Sequence, residues 1–238
     1  MAKQKETLAP YLILDVKPLT RDTKQFTFRI PADTVFTFLP GDHMKMYPDP
    51  DDYLEWRPYT PTTTPNIKDH FELIIKRYND GMVSRFIHDR KPGDQAWMSG
   101  PHEGGHFIKG MAKEIGMVAG GTGITPLISI IRSILADHDD IKIGLIFANK
   151  TVDDIILKTE FDRYAEQFAN FRRYYVVDNA PPDWDMGRGR IDTLIMKEHL
   201  PQPSDDAVVF VCGPPLMQIE LLKKLVDMGF SREKIIFP

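Results

Sequence analysis

Met117-Val118-Ala119-Gly120-Gly121-Thr122-Gly123-Ile124-Thr125-Pro126 decides how the second half of this chain is read. Met117 to Ala119 ends the compact apolar run Ile115 to Ala119, which suits a buried strand. Downstream, Pro126 to Leu135 places Leu127, Ile130, Ile131 and Ile134 on one helical face. Pro126 fits the first turn of that helix, where a missing N–H costs nothing. Between strand and helix, the glycines admit positive φ and let a ligand come close to the backbone. The freed N–H groups and the helix dipole then face an anion, and a pyrophosphate is the natural guest. The spacing is neither the GxGxxG fingerprint nor a P-loop. On its own the turn leaves open a tight strand-to-helix connection that binds nothing.

The same grammar continues to the C-terminus. Ile141 to Ala148, Arg173 to Val177, Ala207 to Cys212 and Lys234 to Phe237 read as further strands. Thr159 to Ala169, Asp192 to His199 and Pro215 to Met228 read as helices between them. This alternation predicts an α/β domain on a parallel five-stranded sheet. A second turn, Cys212-Gly213-Pro214-Pro215, also joins a buried strand to a helix. In a parallel sheet, ligands sit at the carboxyl ends of the strands, so both turns belong to the binding edge. Cys212 is open to two readings, core filling or ligand contact.

The first half reads differently. Tyr11 to Val16, Gln25 to Ile30, Phe36 to Leu39, His43 to Tyr47 and Phe71 to Tyr78 are short strand candidates. Turn signals such as Pro40-Gly41-Asp42, Asn79-Asp80-Gly81 and Pro92-Gly93-Asp94 separate them. That pattern predicts a small antiparallel β-barrel, with one short helix at Ser84 to His88. The expected division is residues 1–111 and 112–238. Within the barrel half, Trp56-Arg57-Pro58-Tyr59-Thr60 puts a guanidinium suited to phosphate two residues from a phenol suited to stacking. A surface salt bridge and a core tyrosine are the plain alternative. Gly81-Met82-Val83-Ser84 precedes the short helix, where Ser84 can cap it or the free N–H groups can hold a phosphate.

Composition narrows the function. The chain has 238 residues, 42% hydrophobic and 27% charged, which describes a folded globular protein. Its net charge of −4 argues against nucleic acid as the main partner. The single cysteine, Cys212, excludes an intrachain disulfide and any zinc or iron–sulfur site built from thiolates alone. It also fits a reducing, cytoplasmic setting. Met1 to Thr7 lacks the apolar run of a signal peptide, and no stretch approaches the roughly 18 apolar residues of a membrane span. A soluble monomer without a membrane anchor is expected.

Taken together and in order, Arg57-Pro58-Tyr59-Thr60, Leu73 to Tyr78, Gly81 to Ser84, Gly120 to Pro126 and Cys212-Gly213-Pro214-Pro215-Leu216-Met217 resemble the ferredoxin–NADP reductase superfamily. Within it, the chain is similar to NADH–cytochrome b5 reductase and to the flavin domain of nitrate reductase. Phe147 to Thr151, Asp153 to Ile155 and Val177 to Pro181 extend the likeness from about Thr20 to the C-terminus. The resemblance implies two domains, an antiparallel FAD-binding barrel followed by an NAD-binding α/β domain. It implies FAD as cofactor, with Arg57 on the pyrophosphate, Tyr59 packed on the flavin and Thr60 near its N5. Pro58, Ile74, Ile75, Lys76 and Tyr78 border the flavin in this reading. Gly81, Met82, Val83 and Ser84 cradle its phosphate, and Thr125 lies beside the ring. Gly121, Thr122, Gly123, Cys212, Gly213, Pro214 and Met217 hold NADH, with Cys212 near the nicotinamide. Thr60 and Cys212 are the residues it places nearest the chemistry.

Asp178 follows a strand leading to the adenosine side, where a carboxylate binds ribose hydroxyls and repels a 2′-phosphate. The resemblance puts the nicotinamide-specificity acid here, which favours NADH over NADPH. The chain departs from the family pattern at Gly100-Pro101-His102-Glu103-Gly104-Gly105 and at Ile235-Ile236-Phe237-Pro238, where Phe237 is out of register by one. The implied activity is a flavoprotein reductase passing hydride from NADH to FAD and electrons to a separate carrier such as a haem protein. The reductase component of an oxygenase or hydroxylase system is the second enzyme reading. A nucleotide-binding protein without turnover is the third reading, and the intact Arg57-Tyr59-Thr60 set argues against it.

Overall fold

The computed structural model describes residues 7–32, 34–52 and 54–238, so the start of the chain, Met1 to Glu6, lies outside the described residues. These form two sheets of six strands each. The first holds β1 (Ala9–Thr20), β2 (Thr23–Arg29), β3 (His43–Tyr47), β4 (Arg57–Tyr59), β5 (His70–Lys76) and β6 (Gln95–His102). Its order is β4-β3-β6-β1-β2-β5, with every pair antiparallel. The two edges meet. Pro61 bridges Leu73, and the Thr62 N–H donates to the Glu72 carbonyl at 2.8 Å, so the chain beyond β4 closes onto β5. The barrel interior is filled by Phe26, Phe28, Met44, Met46, Phe71, Leu73, Ile75 and Met98. Helix α1 (Met82–His88) adds Val83 and Ile87 to that core.

Two local expectations change, and one strand had not been expected. Phe36 to Leu39 joins no ladder, although its alternation is real. Phe36 and Phe38 turn inward, and the Phe36 ring stacks on Phe71 at 4.8 Å, so the segment seals the barrel interior. Strand β6 was hidden by the Gly100-Pro101 turn signal near its end, but Ala96 and Met98 point inward along it. Ser84 is not the helix cap. The cap position is Gly81, and Ser84 inside the first turn accepts from the Tyr78 N–H at 3.1 Å and donates to the Gly81 carbonyl.

The second sheet is wholly parallel. It contains β7 (Glu114–Gly120), β8 (Lys142–Asn149), β9 (Phe171–Val177), β10 (Gly187–Arg188), β11 (Ala207–Cys212) and β12 (Ile235–Ile236), in the order β10-β9-β8-β7-β11-β12. The expected five strands are thus six: Gly187 and Arg188 add an edge strand too short to show any periodicity. Helices α2 (Ile124–Ala136) and α3 (Lys158–Gln167) cover one face through Leu127, Ile131 and Phe161. Helices α4 (Thr193–His199) and α5 (Pro215–Asp227) cover the other through Met196, Leu221 and Leu225. The chain runs outward from β7 to β8 and β9, then returns to the opposite side of β7 as β11. Strand order therefore reverses between β7 and β11, and that reversal opens a ligand crevice beyond the carboxyl ends of the strands.

The halves are packed against each other. Ile74 of β5 belongs to the same apolar cluster as Ile124 and Leu127 of α2. The barrel thus presents β4, β5 and the start of α1 to the crevice between β7 and β11.

Candidate active site

The two turns that close β7 and β11 share one space. Gly121 to Gly123 makes a single 3-10 turn that runs directly into α2, with Gly121 in the left-handed region at φ +53°. Gly123 stands against β11: a side chain there would overlap the Cys212 carbonyl. Here the glycine is required by close approach rather than by φ. Pro126 cannot donate the helical hydrogen bond to Thr122, and the Thr125 hydroxyl donates to the Thr122 carbonyl instead, at 3.0 Å. On the other turn, Gln218 donates to the Gly213 carbonyl at 2.6 Å and fixes the entry to α5. Neither α2 nor α5 carries an acidic residue in its first turn, so their N-terminal fields are not cancelled locally.

Across from these turns stands the barrel. Arg57 is exposed and extended, with its guanidinium donating to the Trp56 carbonyl at 2.7 Å and 4.0 Å from Glu55. Tyr59 packs on the barrel core with its ring edge half-buried, and Thr60 beside it is buried. The Tyr78 hydroxyl lies 3.2 Å from the Thr122 hydroxyl, which joins the barrel side to the glycine turn. Lys76 is paired with Asp22 at 3.0 Å.

Between the halves lies a cleft of about 1700 Å³. A site for one drug-sized ligand takes roughly 300–1,000 Å³. The cleft therefore has room for two extended ligands. Arg57, Pro58, Tyr59, Thr60, Ile74, Lys76, Tyr78, Gly81, Val83 and Ser84 line it from the barrel. Gly121, Thr122, Gly123, Thr125, Asp178, Cys212, Gly213, Pro214 and Met217 line it from the α/β half. Two expected residues do not. Ile75 points into the barrel core with no exposure, because neighbours on a strand face opposite sides. Met82 is 58% exposed and turns its side chain to solvent at the start of α1. Phe237 and Pro238 do reach the cleft despite the shift in register, and Pro238 lies against Gly105 of the altered loop. The two departures from the family pattern thus meet each other.

Other lining residues carried no motif in the sequence. Arg190 pairs with Glu220 at 3.4 Å, and Lys224 donates to the Ile191 carbonyl at 2.7 Å. Together with Lys150 they surround the end of the cleft that holds Asp178. Glu220 and Lys224 sit one helical turn apart on α5. That spacing, counted on from the Cys212 turn, is the signal that could have found them.

Two titratable groups in the cleft are displaced in the same direction. Burial pushes the Tyr59 phenol well above its ordinary value, against the lowering effect of Arg57. Burial also pushes the Cys212 thiol up to about 11, although a backbone hydrogen bond from Gly213 opposes it. Both groups are neutral at physiological pH. The cleft thus offers a flat aromatic face and an uncharged sulfur, bordered by cationic side chains and backbone N–H groups. Those are fittings for planar rings carried on phosphates, and they supply no activated nucleophile.

Comparison with known proteins finds a match for each half of the chain. Residues 11–107 match the family model of the oxidoreductase FAD-binding domain, and residues 117–221 match that of the oxidoreductase NAD-binding domain. NADH-cytochrome b5 reductase 1 of Dictyostelium discoideum is 36% identical over 219 residues, covering 91% of this chain and 77% of that protein. The protein of the same name from Kluyveromyces lactis is 37% identical over 236 residues, covering 98% of this chain and 84% of its own length. Among solved structures, the cytochrome b5 reductase domain of Ulva prolifera nitrate reductase has a TM-score of 0.88 at 26% identity, covering 98% of this chain and 97% of that one.

The state of Cys212 can be checked directly. The thiolate is the reactive form, so alkylation by iodoacetamide should be slow at pH 8 and climb toward a midpoint near 11. A rate that levels off at the ordinary thiol value would show that burial does not govern this group.

Proposed function

The chain belongs to the NADH–cytochrome b5 reductase family, and from that premise we propose that the cleft between its halves is the hydride-transfer site and that its electrons leave for cytochrome b5. It is an NADH-dependent flavoprotein reductase that binds FAD and hands electrons to a separate carrier. The observation that carries the reading is the facing of Arg57-Pro58-Tyr59-Thr60 on one wall by the Gly121–Gly123 and Cys212–Pro214 turns on the other.

The bound flavin supplies two-electron acceptance from the nicotinamide and release to an acceptor. The chain supplies position. Arg57 holds the FAD pyrophosphate with its free guanidinium donors, and the backbone from Gly81 to Ser84 takes the phosphate beside it. Tyr59 would pack its neutral ring on the flavin, and Thr60 would offer it a hydroxyl. Ile74 and Tyr78 border the ring, and Lys76 contributes its backbone while its ammonium stays with Asp22. Thr125, on the opposite wall of the cleft, would border the ring. NADH lies along the Gly121–Gly123 and Cys212–Pro214 turns with Met217 beneath them, and the neutral Cys212 thiol excludes water at the nicotinamide. Asp178 binds the adenosine ribose. Residues 1–111 and 112–238 form the two working units in this account. All these groups come from one protomer, so a monomer is a complete catalytic unit. The lone thiol suits a reducing, cytoplasmic setting.

Acceptor choice and cofactor choice can be tested separately. FAD-loaded protein with NADH should reduce cytochrome b5, and should do so more slowly at high salt because exposed Arg77 and Arg85 rim the barrel side. Reduction of ferricyanide without reduction of cytochrome b5 would assign the chain to another carrier, such as an oxygenase component. Asp178→Ser removes the carboxylate that repels a 2′-phosphate, so NADPH use should rise relative to NADH by about tenfold or more, the fold-change of one lost charge contact. An unchanged NADH/NADPH ratio would take the discriminating role away from Asp178.

A further inference from the structure

Hydride transfer requires reacting atoms held close to contact, and a small misplacement is costly. In this chain the flavin-side residues and the nicotinamide-side turns belong to different halves. A largely buried side chain outside the cleft reaches both. Arg132 projects from α2, the helix that the glycine turn opens, and its side chain is 17% exposed. Its Nε and one terminal nitrogen fork onto the two Glu160 oxygens of α3 at 2.8 and 2.9 Å. The other terminal nitrogen donates to the Thr62 carbonyl at 2.8 Å and lies 3.5 Å from Glu72 of β5. Thr62 is two residues beyond Thr60, fully buried, and its own N–H closes the barrel onto Glu72. Glu160 is held in turn by the Tyr164 hydroxyl at 2.7 Å, and Glu72 by Gln25 at 2.8 Å.

The Arg132–Glu160 pair is held in its charged form. Burial raises the Glu160 pKa and the Arg132 guanidinium lowers it, with a net downward shift. Other polar contacts between the halves are weaker anchors. Arg21 meets Asp154 at 3.4 Å but is 71% exposed, and the Tyr78–Thr122 contact is also exposed. Such contacts are screened by solvent and salt.

We infer that Arg132 is a positioning residue for hydride transfer: it pins the carbonyl of Thr62, at the end of the flavin-side segment, to the helix of the nicotinamide-side turn. It touches neither ring site. Its fork is essential because one donor set holds Glu160 while a third donor, in the same plane, reaches across to Thr62. The inference rests on the hydride-transfer reading of the cleft.

The test compares Arg132→Gln, Arg132→Lys and Glu72→Gln with Arg21→Gln as the control, each loaded with FAD and mixed anaerobically with NADH. The limiting rate of flavin bleaching should fall on the order of 10²-fold in Arg132→Gln and about tenfold in Arg132→Lys. Glu72→Gln should fall less, and Arg21→Gln should stay within about twofold. FAD content and the NADH concentration for half-maximal rate should stay near wild type, while the long-wavelength absorbance of stacked nicotinamide and flavin weakens. Should Arg132→Gln fail to fold, Arg132→Lys and Glu72→Gln decide the matter by the same rates. A wild-type limiting rate in Arg132→Lys, or a rate loss no larger than the loss of bound FAD, would overturn the inference. Wild-type protein that does not bleach at all would instead overturn the reading on which it rests.

Discussion

Strands β7 and β11 run side by side in register, from Glu114 against Ala207 to Ala119 against Cys212. Their turns must therefore occupy the same small space beyond the sheet. Gly123 has no side chain because the Cys212 carbonyl is already there, and Gly120 and Gly213 are both closed over by Met217. This close approach sets the rest of the site. It brings two helix N-termini to one point, buries the Cys212 thiol enough to keep it protonated, and leaves the backbone N–H groups and small residues of the two turns facing the cleft. A binding edge built in this way accepts a phosphate-bearing, planar ligand and offers no side-chain nucleophile.

The barrel completes the site only if it is held in place. Apolar packing of Ile74 on the α2 cluster supplies the contact area, and the Arg132 cluster supplies direction. The apolar contact is not specific for angle, because the hydrophobic effect has no preferred geometry. A forked guanidinium with partners on α3, on β5 and on the backbone after β4 does specify it. Flavin-side and nicotinamide-side residues are thereby related by one largely buried side chain that neither of them contacts.

Much of this was legible in the amino-acid order. Strand–turn–helix alternation after Lys113 announced the parallel sheet, and the facing turns at Gly120 and Cys212 announced its binding edge. What escaped had physical reasons. Gly187-Arg188 is too short for a periodic signal, and β6 ends in residues that elsewhere break strands. Phe36 and Phe38 alternate as a strand does, but their inward rings plug the barrel without backbone pairing. Ile75 was placed at the site with Ile74, yet strand alternation sends one to the cleft and the other to the core. Arg132 gave no sign, since a charge within the apolar run from Ile124 to Leu135 reads as the solvent face of the helix until the barrel is laid against it.

The central claim is that a hydride crosses between the two walls of this cleft. Its most direct measurement is an anaerobic titration of FAD-loaded protein with NADH, followed in the flavin absorption band, with NADH deuterated at the transferred position as a second arm. The account predicts complete bleaching at one NADH per flavin and a slower bleaching rate with the deuterated nucleotide. A flavin band that persists in excess NADH, with the nucleotide bound but not oxidised, would contradict it.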